Sequence, residues 1–240
     1  MSDRKEFLKE KVCELGIELD DIQLNQFIKY YEILVSWNNV MNLTAITKYE
    51  EVVEKHFVDS LTIVKVMDMN QIESMIDIGT GAGFPGIPLK IVFPHMKVTL
   101  LDSLNKRIKF LKTVIEELGL LDIDTIHGRA EDFAKQKEYR EQYDLCVSRA
   151  VANLATLSEY CIPYVKKGGK FLPYKSGDIE QELNESKKAI QILGGEVKKV
   201  YKFELPGTDI KRSMIMINKI ANTTKKYPRK AGMPSKEPLK

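Results

Sequence analysis

The stretch Asp77-Ile78-Gly79-Thr80-Gly81-Ala82-Gly83-Phe84-Pro85-Gly86 decides the reading of this chain. Its glycines fall at alternate positions, which lets the backbone turn sharply and approach a ligand at distances a Cβ would forbid. The apolar run Met75 to Ile78 before it reads as a strand, Ile87 to Phe93 after it as a short helix, and Val98 to Leu101 as a second strand. The stretch is therefore the first turn of a βαβ unit. Further strands are expected at Ile123 to Ile126, Tyr143 to Val147, Lys170 to Pro173, Glu196 to Phe203 and Met214 to Asn218. Helices are expected through Leu104, Ile108, Leu111, Ile115 and Leu118, around Leu154 to Ile162, and over Asp178 to Leu193. Upstream, Leu24, Phe27, Ile28, Tyr31, Leu34 and Val35 recur at helical spacing behind Asp20 and Asp21. A second upstream helix is expected after Thr47, whose offset to Glu50 fits a capping box, with Asn42-Leu43-Thr44 as the loop between. Parallel strands need helical crossovers, so the expected architecture is α/β, a doubly wound sheet with an N-terminal helical cap. The divisions are a cap over 1–70, a sheet domain over 71–218 and a tail over 219–240.

Ligands bind such sheets at the carboxyl ends of the strands. The loop spacing is GxGxG rather than GxGxxG: Phe84 stands where a dinucleotide loop has glycine, and no Gly-Lys-Ser/Thr follows to make a P-loop. Asp77 would repel a pyrophosphate but suits an ammonium or sulfonium group. Asp102 ends the second strand 23 residues beyond Gly79, where a carboxylate accepts hydrogen bonds from ribose hydroxyls. These features point to S-adenosylmethionine rather than NAD. The competing reading is a purely structural glycine turn beside an incidental aspartate.

The chain has 240 residues, 43% hydrophobic and 30% charged. Chains of this size bury roughly 70 to 75% of their unfolded surface and need no disulfide or metal to fold. No apolar run approaches the ~20 residues of a membrane span, and the opening MSDRKEFLKE lacks signal-peptide order, so a cytoplasmic location is expected. Cys13, Cys146 and Cys161 form no CxxC, and His56, His95 and His127 are far apart, so no metal site is expected. Of 37 basic and 34 acidic residues, seven basic and one acidic fall in 219–240, leaving 30 and 33 in the body. That tail, with Pro228, Pro234 and Pro238, reads as a flexible basic arm. An aid to solubility and an anion-binding role are both open for it.

Six sets of residues occur in order along the body of the chain: Trp37-Asn38 with Met41-Asn42-Leu43-Thr44, His56-Phe57-Val58-Asp59-Ser60-Leu61, the DIGTGAGFPGIPL loop, Asp102-Ser103 with Lys106-Arg107, Gly128-Arg129-Ala130-Glu131 and Ser148-Arg149-Ala150. The tail Lys226-Tyr227-Pro228-Arg229-Lys230-Ala231-Gly232 follows them. The ordered set resembles that of the bacterial 16S ribosomal RNA guanine-N7 methyltransferases, the RsmG or glucose-inhibited division protein B family. The resemblance implies a Rossmann-like class I methyltransferase sheet. It also implies methyl transfer from S-adenosylmethionine to N7 of a guanosine in the 530 loop, with 16S rRNA or the small ribosomal subunit as partner, no membrane, and a monomer. A methyltransferase of another substrate and a noncatalytic S-adenosylmethionine-binding rRNA module are the alternatives.

Residue chemistry agrees with N7. Amine methylation usually involves an Asn/Asp-Pro-Pro-aromatic loop after the fourth strand, where this chain has Ser148-Arg149-Ala150-Val151. Pyrimidine C5 chemistry needs a cysteine nucleophile, whereas Cys146 lies within a strand and Cys161 in an apolar helix, both read as core residues. Guanine N7 has a free in-plane lone pair and needs no general base, so no catalytic residue is assigned. By resemblance, Gly79 and Phe84, Ala130 and Glu131, and Arg149 are cofactor-binding positions, and Asp102 and Ser103 meet the ribose. Asp77, Gly81 and Gly83 join them from the loop. Glu131 has a second reading as a helix cap and Phe84 as packing, while Arg149 suits either a methionine carboxylate or an RNA phosphate. His56, Asp59 and Ser60 share a helix face, and either line the target-base pocket with Arg149 or join cap to core. His127 reads as structural. For RNA contact the candidates are Lys106, Arg107, Arg129, Lys166, Lys167, Lys170, Lys211, Arg212 and the tail.

Overall fold

Residues 2–149 and 152–239 are described in the computed structural model of the chain; Ala150 and Val151, the end of the stretch read after the fourth strand, and Lys240 lie outside them. Helix α1 (Ser2–Cys13) is an element the sequence reading leaves unassigned, because it buries only Leu8 and Val12, too few for a periodic signal. Helix α2 (Asp21–Met41) starts where expected. Asp20 Oδ1 accepts the Gln23 N–H at 2.8 Å and the Gln23 side chain accepts the Asp20 N–H at 3.1 Å, a reciprocal capping box. Its buried face carries Leu24, Phe27, Ile28 and Leu34, with Tyr30 and Ile33 besides.

The second upstream helix is broken. It comprises α3 (Tyr49–Val52), a π-helical turn (Val53–Val58), α4 (Asp59–Leu61) and a 3-10 turn (Thr62–Lys65). Its N-cap is Lys48 with no side-chain bond, so the expected Thr47 to Glu50 box does not form. The Thr47 carbonyl accepts the Tyr31 hydroxyl instead, at 3.1 Å. Four buried apolar residues, Val52, Val53, Phe57 and Val58, crowd the turn, and the wider π turn accommodates all of them on the buried side.

The sheet follows the expected alternation. Strands β1 (Ser74–Ile78), β2 (Lys97–Asp102), β3 (Ile123–His127), β4 (Tyr143–Arg149) and β5 (Val165–Ser176) are parallel. Between β5 and β6 (Gly195–Glu204) lies β7 (Lys211–Lys219), antiparallel to both. The order is β3-β2-β1-β4-β5-β7-β6. It reverses between β1 and β4, which opens a crevice at their carboxyl ends. Helices α5 (Gly86–Val92), α6 (Asn105–Glu117), α7 (Ala130–Phe133), α8 (Leu154–Cys161) and α9 (Glu180–Ile192) complete the crossovers.

Successive strand residues face opposite sides, so the sheet builds two cores. Met75, Val98, Leu100 and Val147 pack with Phe27, Tyr30 and Phe57 of the cap, whereas Ile76, Ile78, Leu101 and Cys146 pack beneath α8 and α9 with Cys161. Both cysteines are fully buried, as read. Phe84 of the glycine loop lies 5.4 Å from Tyr30 and 6.1 Å from Phe57 between ring centroids, and one buried cluster includes these with Met75 and Val98, so the upstream helices and the sheet face share one core.

The flexible basic arm is corrected by the structure. β7 ends at the amino edge of the parallel strands, and the chain then returns along α8 toward their carboxyl edge. Arg140 donates to the carbonyls of Thr223 at 2.6 Å and Tyr227 at 2.9 Å. Arg229 Nη2 meets Glu159 Oε2 at 2.7 Å, and Thr156 Oγ1 donates to the Pro234 carbonyl at 2.9 Å, beside a closing turn α10 (Met233–Lys236). Lys219 is 2% exposed and pairs with Glu141 at 3.1 Å. Two of the cations that make the tail look like a solvated arm are thus counter-ions for buried or half-buried body carboxylates. No helix of the described residues is long and apolar enough to cross a membrane.

Candidate functional site

The glycine-rich loop is held from below by its own aspartate. Asp77 Oδ2 accepts the Thr80 hydroxyl at 2.7 Å and the Gly86 N–H at 2.9 Å, and the carboxyl group is fully buried. Above it, the Gly79 N–H donates to the Leu101 carbonyl at 2.8 Å and the Gly81 N–H to Asp102 Oδ2 at 2.9 Å. These bonds bend the backbone through positive φ at Gly79, Gly81 and Gly83, at 71°, 63° and 92°. The loop folds over the Asp77 carboxylate, so among the described residues Asp77 supports the loop from beneath and is not in the lining of the cavities that meet there. Gly83 is likewise absent from the linings of these cavities, and Tyr30 and Ile87 fill the space beside it.

Burial pushes the Asp77 carboxyl up to about 6, against the two hydrogen bonds and Arg149, which pull it down; Oδ1 has no partner. The native state thus keeps a proton that the unfolded chain has lost, and the stability linked to this group is full below the ordinary carboxylate range and falls as pH rises through 6. Asp77→Asn removes that dependence. Its effect on stability should be more favourable at pH 8 than at pH 5 by roughly 1.5 kcal/mol. Denaturant unfolding at the two pH values checks this, and an equal effect at both would reject the buried, proton-linked carboxyl.

Two cavities meet at the loop. The first, about 400 Å³, is lined by Thr44, His56, Gly79, Gly81, Phe84, Asp102, Ser103, Arg107 and Arg149 among others. The second, about 220 Å³, shares Gly79 and Ser103 and adds Ile78, Leu101, Gly128, Ala130, Glu131, Tyr160 and Ser235. Eight of the ten expected cofactor positions thus surround one continuous region at the carboxyl ends of β1, β2, β3 and β4. Asp102 is 1% exposed and already accepts from Gly81, from the Leu104 N–H at 2.9 Å and from Arg107 Nη1 at 3.1 Å. Arg107, read as an RNA contact, therefore faces the cavity. Glu131 does not cap its helix: Oε1 accepts the Gly232 N–H at 2.8 Å. Thr44, Thr80, Tyr160 and Ser235 also line these cavities and were not among the expected positions: Thr44 and Thr80 sit inside quoted motifs as uncharged side chains, and Tyr160 and Ser235 come from segments with no chemical signature of their own.

A third cavity of about 510 Å³ adjoins the first across His56 and Arg149, which line both. Lys55, Asp59, Tyr174, Lys175 and Arg212 also line it. Asp59, 3% exposed, binds Arg149 Nη1 at 3.0 Å and Arg212 Nε at 2.7 Å. The His56 ring stacks on Phe84 with centroids 4.6 Å apart, and the Arg149 guanidinium lies 5.0 Å from the Phe84 centroid. Packing and cavity lining are therefore both true of Phe84. His56 Nδ1 lies 3.0 Å from the Lys55 carbonyl and Nε2 2.9 Å from Thr44 Oγ1, an arrangement that uses both ring nitrogens. Burial first, then Arg149, lowers the imidazole to about 4, so it is neutral at pH 7. Ser60 is not with them. It is fully buried, donates to the His56 carbonyl at 2.5 Å, and its own carbonyl accepts the Tyr174 hydroxyl at 2.8 Å. Its hydroxyl is engaged by the helix backbone, and it lines neither cavity that His56 lines.

The RNA-contact candidates divide by sheet edge. Lys106, Arg107, Arg129, Lys211 and Arg212 lie at the carboxyl edge with the cavities. Lys166, Lys167 and Lys170 open β5, which pairs with the start of β4 at the opposite edge, and Lys166 pairs with Asp144. These three lysines therefore stand away from the cavities, a separation set by strand direction, which charge counting ignores. His127 reaches the Ser103 carbonyl at 3.2 Å.

Residues 23–215 match the family described as rRNA small subunit methyltransferase G. The chain is 51% identical over 239 residues to Ribosomal RNA small subunit methyltransferase G of Lachnoclostridium phytofermentans, covering 100% of this chain and 98% of that one. It is 52% identical over 236 residues to the protein of the same name from Alkaliphilus metalliredigens, covering 98% and 99%. Among solved structures, the complex of the Haloferax volcanii Trm112 methyltransferase activator with a methyltransferase aligns at TM-score 0.58 and 13% identity, over 78% of this chain and 97% of that one. M. jannaschii TYW2 in complex with AdoMet aligns at 0.55 and 14%, over 73% and 80%. These two show the fold, and the sequence relatives show more: the chain belongs to the rRNA small subunit methyltransferase G family.

Proposed function

We propose that the protein transfers the methyl group of S-adenosylmethionine to N7 of a guanosine in the 530 loop of 16S ribosomal RNA. The observation that carries this reading is the pair of adjoining cavities, one lined by the glycine loop and the other by arginines and lysines, that meet at His56 and Arg149. The residues present fit the cofactor. Asp102 and Ser103 offer acceptors for a ribose diol, Arg149 a cation for a carboxylate, and Ile78, Leu101 and Ala130 an apolar floor for a flat ring with Glu131 at its rim. When bound, the cofactor supplies an electrophilic methyl group on a sulfonium.

What the chain adds is placement. Guanine N7 carries a lone pair free of Watson-Crick pairing, so methylation there would require no proton to leave the base and no residue of this chain to act as a general base. His56, neutral and with both nitrogens engaged, has no base role to fill. Holding the base in line with the breaking bond is the main contribution, an effect worth up to roughly 7 to 11 kcal/mol. Arg212, fixed by Asp59, supplies a cation toward an RNA phosphate, while Arg149, held by the same carboxylate, serves the cofactor side. An unstacked loop base is cheaper to bring to this pocket than one in a duplex.

Incubation with labelled S-adenosylmethionine and either free 16S rRNA or small subunits, followed by chain cleavage at 7-methylguanosine, tests the reading. Label at one guanosine of the 530 loop is expected. No label in RNA rejects the function, and label on an adenine or pyrimidine rejects the N7 chemistry while leaving the enzyme.

Four tail cations, Lys225, Lys226, Lys230 and Lys236, are exposed. If they meet phosphates, changing all four to Gln should flatten the log-affinity against log-salt slope by up to about 3, at ~0.7 per charge for single strands. Truncation is the wrong experiment, because Lys219 and Arg229 are tied into the fold. An unchanged slope assigns RNA affinity to the body alone.

A further inference from the structure

The end of the chain reaches the cofactor region itself. Ser235 lies on the wall of the smaller cavity with Gly79, Ser103 and Glu131. The Gly232 N–H holds Glu131 Oε1, and Ser235 Oγ donates back to the Gly232 carbonyl at 3.0 Å. This placement is fixed from behind. Glu159 on α8 is fully buried and receives Arg229 Nε at 3.0 and 3.1 Å, Nη2 at 2.7 Å and the Arg229 N–H at 2.8 Å. Thr156, one turn earlier on α8, holds the Pro234 carbonyl. The Arg229 guanidinium also donates to the Glu237 carbonyl at 2.7 Å, so one side chain ties both ends of the segment 229–237 to α8.

From these contacts we infer that residues 229–237 form a fixed outer wall of the adenosine end of the cofactor cavity, and that Arg229 is a positioning residue for Glu131. The inference rests on the S-adenosylmethionine reading above. A carboxylate has acceptor capacity for about four hydrogen bonds. With one bond from Gly232, Glu131 is held in one orientation while it still accepts an N–H or O–H from a nucleoside. Without the strap that carboxylate is free to turn, and the cavity opens on the side of Ser235. The segment thus links the last residues of the chain to donor affinity, a role separate from any contact of its exposed lysines with RNA.

Calorimetric titration of the full chain with S-adenosylhomocysteine and with 5′-methylthioadenosine tests this. Arg229→Ala should weaken both by about tenfold or more, since the two share the adenosine. Arg229→Lys should recover part of the loss, because an ammonium reaches Glu159 but lacks the planar fork. Ser235→Trp, at an exposed position, should weaken both while leaving the melting of the ligand-free protein unchanged, and it carries the test if Arg229→Ala does not fold. In turnover the donor KM should rise with the RNA KM unchanged, whereas the four-lysine variant should do the reverse. Parental affinity in both Arg229→Ala and Ser235→Trp overturns the inference. Failure of the parent itself to bind either nucleoside overturns the cofactor reading, and this inference with it.

Discussion

Asp59→Ala should cost about 3 to 5 kcal/mol of folding stability and remove methyl transfer. Asp59 is the single carboxylate between Arg149 and Arg212, whose side chains are only 15% and 19% exposed. Both guanidiniums would then face each other in a half-buried setting without their counter-ion. The loss exceeds that of an exposed ion pair, which is typically worth 0 to 1 kcal/mol, because the partners left behind cannot be fully rehydrated. The variant Asp59→Ala with Arg212→Met removes one of the stranded charges and should recover part of the stability, but not activity. Urea unfolding of the two variants, with methyl transfer measured beside it, decides the matter. A loss below about 1 kcal/mol for Asp59→Ala would show that the two arginines are stabilised from elsewhere.

Gly83→Ala should be nearly as damaging, through the backbone. At φ of 92° an L side chain is strained, which costs about 1 to 2 kcal/mol. In addition, a Cβ would lie 2.5 Å from Ile87 Cδ1 and 2.8 Å from the Tyr30 hydroxyl. Tyr30 cannot retreat freely, since its hydroxyl donates to the Ala82 carbonyl inside the same loop and its ring packs against Phe57 and Phe84. Overpacking of this kind adds about 1 to 3 kcal/mol. Gly81→Ala is the control: its φ is 63°, but a Cβ there meets no closer neighbour than the Gly79 carbonyl oxygen at 4.0 Å. The first variant should therefore lose about 3 to 4 kcal/mol and the second only about 1, measured by thermal unfolding. Equal losses would mean that the packing beneath Gly83 yields.

The two variants also separate roles that the sequence pattern treats alike. Gly81 lines the first cavity, whereas Gly83 faces the cap. Nucleoside binding at a temperature where both variants are folded should fall for Gly81→Ala by more than its small stability loss would predict.

Much of the fold was legible because its signals are local. The alternation of β1, the helical stripe of α2 and the Asp20–Gln23 box each lie within one turn or one pleat, so a short window of residues specifies them. The glycine loop and Asp102 could be placed at the strand ends for the same reason, and eight of the ten expected cofactor positions do line the two loop cavities. That the first five strands run parallel followed from the need for helical crossovers, whereas the order β3-β2-β1-β4-β5-β7-β6 and the antiparallel β7 did not. Tertiary structure alone decided the rest. Asp77 became a buried clamp because Thr80 and Gly86 close over it. Ser60 left the site because its hydroxyl turns back onto the His56 carbonyl and Tyr174 closes over its own carbonyl. The tail became a wall because Arg229 finds Glu159 70 residues away, and the substrate-side cations are oriented because Arg212 finds Asp59 153 residues away. A carboxylate's environment is set by what folds against it from every side, and that information is in the packing of distant segments rather than in any local stretch of sequence.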